Sequence, residues 1–262
     1  MRKLNLIFTA LMVMLLLGSI LVLQATTSEE EVLKYQKKLQ KLGYYDGPLD
    51  GIHGDLTQGA LKVFQKDNGL PANGNLDAKT KNTIDLKRRL RAQSQVLDHA
   101  EIIKMIKDNG FSHPFDLSGS NLSPTVKGNF QHQYKAQTLK GDKVVVDHVT
   151  DLMWQYSGSD ELLMWEGVQD YVDQMNQKKY AGFSDWRLPT VEELASLLEN
   201  TDQNDDMFIA TVFDGKQTWC WSADKVKKDP DQTLWIVNFD EGQIDQNNIY
   251  LDSYIRLVRS MR

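Results

Sequence analysis

The side chains of this 262-residue chain best suited to chemistry are five histidines, one cysteine and a cluster of aspartates. The histidines are His53, His99, His113, His132 and His148. No two of them stand at the i, i+4 spacing that puts two imidazoles on one helix face for a metal. Cys220 is the only thiol and stands between Trp219 and Trp221. A nucleophilic thiol needs a neighbour that favours the thiolate, and no histidine is near it in sequence, so it reads as a small buried apolar side chain. There is no G-x-S-x-G turn to present a serine. Asp202, Asp205 and Asp206 supply hard oxygen ligands of the kind calcium takes, although such a cluster is more often a solvated loop. No catalytic set and no required cofactor emerge; calcium is the one metal left open. Carboxylate pairs assembled only in space are invisible at this level, so an enzyme stays as the alternative.

The elements that position these residues follow from periodicity and caps. Ser28 followed by Glu31 forms a capping box, which predicts a helix from about Glu29. Val32, Tyr35, Leu39 and Leu42 give it one apolar face, and Gly43 suits a left-handed C-cap. A turn-rich loop with Pro48 follows. A second helix is predicted from about Asp55, burying Ala60, Val63 and Phe64 and stopping at Asn68-Gly69-Leu70-Pro71. Asp77 caps a third, short helix carrying Ile84. Three short helices make about the smallest core that folds independently.

Charge and the first residues bear on compartment and partners. Arg2 and Lys3 precede an almost uncharged run from Leu4 to Ala25. Residues 1–27 therefore read as a secretory signal peptide or a single transmembrane anchor, with the rest of the chain exported. The run is longer than a usual signal peptide, and Leu23 makes a mediocre cleavage site, which favours the anchor. One cysteine excludes an internal disulfide. Residues 151–262 carry 10 basic and 21 acidic side chains. That balance argues against nucleic acid, which needs clustered Lys/Arg, and less strongly against polyanionic glycans. Lys87-Arg88-Arg89-Leu90-Arg91 reads as a solvated helix face, making 87–97 a basic helical linker.

From Asp98 the texture changes. Asp98 and Glu101 cap a helix with Ile102, Ile103, Met105 and Ile106 that ends at Asn109-Gly110. A turn-rich segment with Pro114, Gly119, Pro124 and Gly128 precedes a strand at Lys143–Asp147. All six tryptophans lie between Trp154 and Trp235, which suggests short strands and loops held by aromatic packing. In WRLPT, Thr190 caps a helix with Glu193 reaching back, and Leu194, Leu197 and Leu198 form its buried face. Arg187 is a candidate buried guanidinium, paired with Asp185 or another aspartate.

Two family resemblances follow. Gly43, Tyr44, Tyr45, Gly47, Asp50, Gly51, Gly54, Thr57, Ala60, Phe64, Gln65, Gly69, Leu70, Gly74 and Thr80 make residues 28–86 resemble the three-helix peptidoglycan-binding domain. The resemblance implies docking on bacterial cell-wall polymer, with contact in or beside the first loop at Tyr45, Asp46, Asp50, Gly51 and Thr57. The blocks VVVDHVTDLMWQ, YAGFSDWRLPTVEELASLLE, TWCWSAD, LWIVNFDEGQI and YIRLVRSMR make residues 98–262 resemble the Lcl C-terminal domain. That family is similar to C-type-lectin-like folds and to the formylglycine-generating sulfatase activators, which implies an α+β domain that binds or scaffolds at a cell surface. The lone Cys220 does not match the redox cysteines of the activators, and the calcium-bound sugar triplet of C-type lectins is missing. Members of the resembled family usually have Thr-Gly where this chain has Thr150-Asp151, a change expected to alter a turn and little else.

The resulting expectation is an α+β, non-enzymatic bacterial envelope protein. It would be periplasmic and anchored in the inner membrane, or secreted if residues 1–27 are cut. Its partners would be peptidoglycan, the membrane, and a glycan or protein ligand of a lectin-like head. The alternative is a cell-wall hydrolase targeted by its peptidoglycan-binding domain.

Overall fold

The computed structural model describes residues 28–113 and 127–261. The apolar segment 1–27 and the turn residues Pro114, Gly119 and Pro124 lie outside the described residues. Among the described residues no helix is long and apolar enough to cross a membrane. The described residues divide into two compact units, the second beginning at Leu86.

The first unit is helical. Helix α1 is Glu29–Lys41, α2 is Asp55–Asp67 and α3 is Ala78–Leu86. Ser28 caps α1 by accepting from the Glu31 amide. The Glu31 carboxylate pairs with Lys81 at 2.7 Å, so the expected capping box is only half made. Gly43 takes φ 80°, the left-handed conformation that closes the helix. Asp77 accepts from the Thr80 amide at 2.8 Å, as its capping role requires. Tyr35, Leu39, Leu42, Leu61, Phe64 and Ile84 form the core. Val63 corrects the reading of α2: it is half exposed, and Leu61 is buried in its place. The helical stripe through Ala60 and Phe64 runs through Leu61, and Val63 falls on the opposite face.

The second unit is rich in sheet. One sheet has the order β1-β5-β6-β7, from Val96–Leu97, Trp219–Val226, Thr233–Asn238 and Gln243–Asn248. β1 runs parallel to β5; the other pairs are antiparallel. The second sheet, β2-β3-β4-β8, uses Tyr134–Leu139, Asp142–Asp147, Leu152–Gln155 and Val258–Ser260 and is antiparallel throughout. Helices α4 (His99–Asn109), α5 (Val168–Gln177) and α6 (Val191–Ser196) accompany them. The caps read from the sequence are present: both Asp98/Glu101 and Thr190/Glu193 form complete capping boxes.

Alternation along the strands divides two cores. Cys220, Trp235 and Val237 enter one; Trp221, Leu234 and Ile236 enter the other. Trp219 and Trp221 therefore share a face, as period-two geometry demands. Trp154, Trp186, Trp221 and Trp235 are fully buried, while Trp165 and Trp219 are partly buried. The tryptophans thus act mainly as core.

The segment 87–97 corrects the expected helical linker. It is not helical, and its last residues are strand β1. Lys87 pairs with Asp151 at 2.5 Å, and the Arg88 amide donates to Val149 O at 2.8 Å. Arg91 grips Asp224 with two bonds of 2.9 and 3.0 Å. These long-range partners lie beside an extended chain and outweigh the helix propensity of Lys and Arg. The segment belongs to the second unit.

Candidate functional site

The loop joining α1 and α2 is organised by one side chain that sequence reasoning missed. Gln36 is fully buried. Its Nε2 faces Asp50 Oδ1 at 2.9 Å, Thr57 Oγ1 at 3.0 Å, and Tyr45 OH and Ile52 O at 3.2 Å. Its Oε1 accepts from the Gly51 amide at 2.9 Å. Tyr45 OH in turn donates to Pro48 O at 2.7 Å, and Thr57 Oγ1 donates to Ile52 O at 2.8 Å. Gly51 holds φ +75°, and a Cβ there would stand 2.6 Å from Glu29 O. No other residue fits.

The loop joining α2 and α3 repeats the device. Gln65 is fully buried; its Nε2 faces Asn75 O at 2.9 Å, Asn73 Oδ1 at 3.0 Å and Thr80 Oγ1 at 3.1 Å. Its Oε1 accepts from the Gly74 amide at 2.8 Å, and Gly74 holds φ +76°. His53 Nε2 meets Gly74 O at 3.0 Å and so ties the two loops together. The signal was in the sequence. Asp50-Gly51 stands six residues before Thr57, and Asn73-Gly74 stands at the same distance before Thr80. Tyr35-Gln36 and Phe64-Gln65 are the matching helical pairs.

This arrangement redistributes the expected contact residues. Tyr45, Gly51 and Thr57 are buried and point their polar atoms inward. They hold the loop and do not form its surface, because their hydrogen-bonding capacity is spent on Gln36, Pro48 and Ile52. Asp46 and Asp50 remain exposed. Asp50 keeps one oxygen for Gln36 and the Ile52 amide, bonds that hold its carboxyl below the usual range. Leu49, Ile52 and Leu56 are the exposed apolar residues of the same loop and of the first turn of α2. The outward surface is thus three carboxylates, Asp46, Asp50 and Asp55, beside three aliphatic side chains.

In the second unit the polar clusters are turned inward. His132 Nδ1 meets Asp147 Oδ2 at 2.8 Å and its Nε2 meets Ser196 O at 2.6 Å. Both ring nitrogens are therefore committed. Burial pushes the Asp147 carboxyl up, but bonds from His132, Thr150 and the Val149 amide outweigh it and hold the group at about 2. Arg187 pairs with Glu193 at 2.6 and 2.8 Å, not with an aspartate; Asp185 instead takes Arg259. Glu193 is the N3 residue of its helix and lies beside Arg187, whereas Asp185 faces the end strand β8. Arg256 is fully buried among oxygens of Gln155, Tyr156, Asp214 and Gln217. Cys220 is buried, and burial raises its thiol to about 11. Asp205 and Asp206 both take positive φ in their loop. Among the described residues no three His, Cys, Asp or Glu side chains come together as a metal site.

The Thr150-Asp151 departure does more than alter a turn. Asp151 holds φ +56°, a conformation that glycine adopts at less cost than other residues. Its carboxylate pairs with Lys87, and both side chains are largely buried. The aspartate converts a strained turn position into an anchor for the segment entering the domain.

Comparison with known proteins separates the two units. Residues 28–84 match the peptidoglycan binding domain family. Residues 143–259 match the Lcl C-terminal domain. The chain is 41% identical over 54 residues to the localization factor PodJL of Caulobacter vibrioides, covering 21% of this chain and 6% of that protein. It is 41% identical over 63 residues to a spore cortex-lytic enzyme of Bacillus cereus, covering 24% of each. The cortex-lytic enzyme of Bacillus subtilis is 38% identical over 69 residues, 26% of this chain and 23% of that protein. These similarities are confined to the peptidoglycan-binding region, so the chain shares at most about a quarter of the length of these relatives.

Proposed function

We propose that this is a non-enzymatic bacterial envelope protein that holds to peptidoglycan through residues 28–84 and presents residues 98–262 as a lectin-like binding head. The observation that carries the reading is the loop framework around Gln36 and Gln65 in a segment matching the peptidoglycan binding domain. We place the wall contact on the outward face of the first loop, at Asp46, Asp50, Leu49, Ile52 and Leu56. The residues Tyr45, Gly51 and Thr57 act behind it by fixing the loop's shape. The reading includes export, with residues 1–27 as an anchor in the inner membrane or as a cleaved signal.

A cell-wall hydrolase is the second reading, favoured by the cortex-lytic enzymes that share the wall-binding segment. The inward commitment of His132, Asp147, Glu193 and Cys220 supports the binding head instead. The two separate in one experiment. Purified sacculi are incubated with the full chain, and retention and soluble muropeptide release are both measured. Retention without release supports the proposal. Release that tracks protein concentration supports the hydrolase.

A further inference from the structure

The second unit carries an exposed apolar edge framed by carboxylates. Leu163 and Ser253 exchange backbone bonds of 2.9 and 3.1 Å, which lays the segment around Leu162 beside the segment around Leu251. Leu162, Met164, Tyr250 and Leu251 are all exposed large hydrophobics, with Tyr250 at 69% and Leu251 at 57%. The edge is held rigidly from behind. Trp221 Nε1 donates to Leu163 O at 2.8 Å, and Trp165 packs edge-on against the buried Trp221 at 5.7 Å. A built, exposed apolar cluster of this kind marks an interaction surface.

The charge flanking it in sequence is predominantly negative. Asp160, Glu161, Glu166, Asp170 and Asp252 flank the four apolar residues and are exposed. Residues 159–177 hold five carboxylates and residues 240–255 hold four, with no Lys or Arg in either stretch. Among the described residues, the cation paired with them is Lys216, 3.9 Å from Asp160, and both side chains are solvated.

We infer that this edge docks a cationic, amphipathic protein segment, one presenting Lys or Arg around two or more apolar side chains. Apolar side chains of the partner cover Tyr250, Leu251, Met164 and Leu162, and its cations meet the carboxylate frame. The same charge disfavours the other occupants. A second copy would set acid against acid, and an anionic membrane or a sulfated glycan would be repelled. The inference rests on reading residues 98–262 as a binding head. Its readout is separate from retention on sacculi, so either can fail alone.

The test uses the full chain and a labelled 18-residue Lys/Leu amphipathic peptide, with a Glu/Leu peptide as the charge-reversed probe. Fluorescence anisotropy is expected to show binding of the Lys/Leu peptide that weakens tenfold or more between 50 and 300 mM salt, and no binding of the Glu/Leu peptide. Glu161→Lys with Asp252→Lys should weaken it at least tenfold, as should Tyr250→Ser with Leu251→Ser. All four residues are exposed, so these variants should fold. The matched control Asp202→Lys with Asp206→Lys makes the same charge change on another loop and should leave affinity within twofold. No binding by the wild type, or equal losses in the control pair, would overturn the inference. So would patch-dependent self-association, or preferential binding of anionic vesicles or heparin.

Discussion

Gln36 Nε2 and Thr57 Oγ1 lie 3.0 Å apart in the buried heart of the first unit, joining the first helix to the second across the loop between them. Gln65 and Thr80 repeat the relationship at 3.1 Å one loop later. In both places the same amide oxygen takes the amide of a left-handed glycine. The shape of each loop's surface is therefore set by a glutamine buried behind it.

Gln36→Leu should destabilise the first unit by roughly 2–4 kcal/mol, because it strands the buried Gly51 amide and several acceptors together. Gln65→Leu should behave alike. Chemical denaturation followed by far-UV dichroism reads both. A change under about 0.5 kcal/mol would show that the loop does not depend on these amides.

Framework and surface separate by mutation. Tyr45→Phe should lower stability by about 1 kcal/mol through the lost bond to Pro48, with sacculus affinity per folded molecule unchanged. Asp46→Ala and Ile52→Ser with Leu56→Ser should leave the melting temperature nearly constant and weaken retention severalfold. The opposite pattern would return the contact to Tyr45.

How much of this was legible in the sequence depended on the range of the interaction. Caps at Asp98, Thr190 and Asp77 and the left-handed Gly43 are local, and spacing alone identifies them. The roles of Lys87 and Arg91 escape a reading by spacing because their partners, Asp151 and Asp224, are chosen by tertiary packing. The basic run carried no mark distinguishing a solvated face from an anchored one. The Gln36 hub shows only in the repeat of Asp50-Gly51 and Asn73-Gly74, because a glutamine on a helix carries no local mark of burial.

The Lys87–Asp151 pair should cost on the order of 3 kcal/mol when Lys87→Met removes one partner, since the carboxylate stays largely buried. Asp151→Gly should cost about 1 kcal/mol less than Asp151→Ala, because glycine relieves the positive φ. Thermal melts of the three variants check the order. Equal costs for glycine and alanine would show that the turn is unstrained.

The buried Asp147 gives the second unit an acid limit. Its folded carboxyl is held at about 2, below the ordinary value of 3.8, so the stabilisation is complete above pH ~4. It fades as pH falls from there towards 2, a loss of about 2 kcal/mol. Asp147→Asn should flatten this part of the stability profile. An unchanged acid limb in that variant would place the titrating group elsewhere.

Trp221→Ala should destabilise the second unit by about 3–5 kcal/mol, since a fully buried ring and its bond to Leu163 are lost together. Trp165→Ala should cost less, as that ring is only partly buried. Equilibrium unfolding of both variants gives the comparison; a negligible effect at Trp221 would contradict its place in the core.

Tethering to the wall through residues 28–84 is the property on which the proposed function stands. Co-sedimentation with purified sacculi tests it most directly, comparing the full chain with a chain from which residues 28–86 are deleted. The full chain should pellet with sacculi and the deleted chain should stay in solution. Equal pelleting of both, or a full chain left in the supernatant, would contradict it.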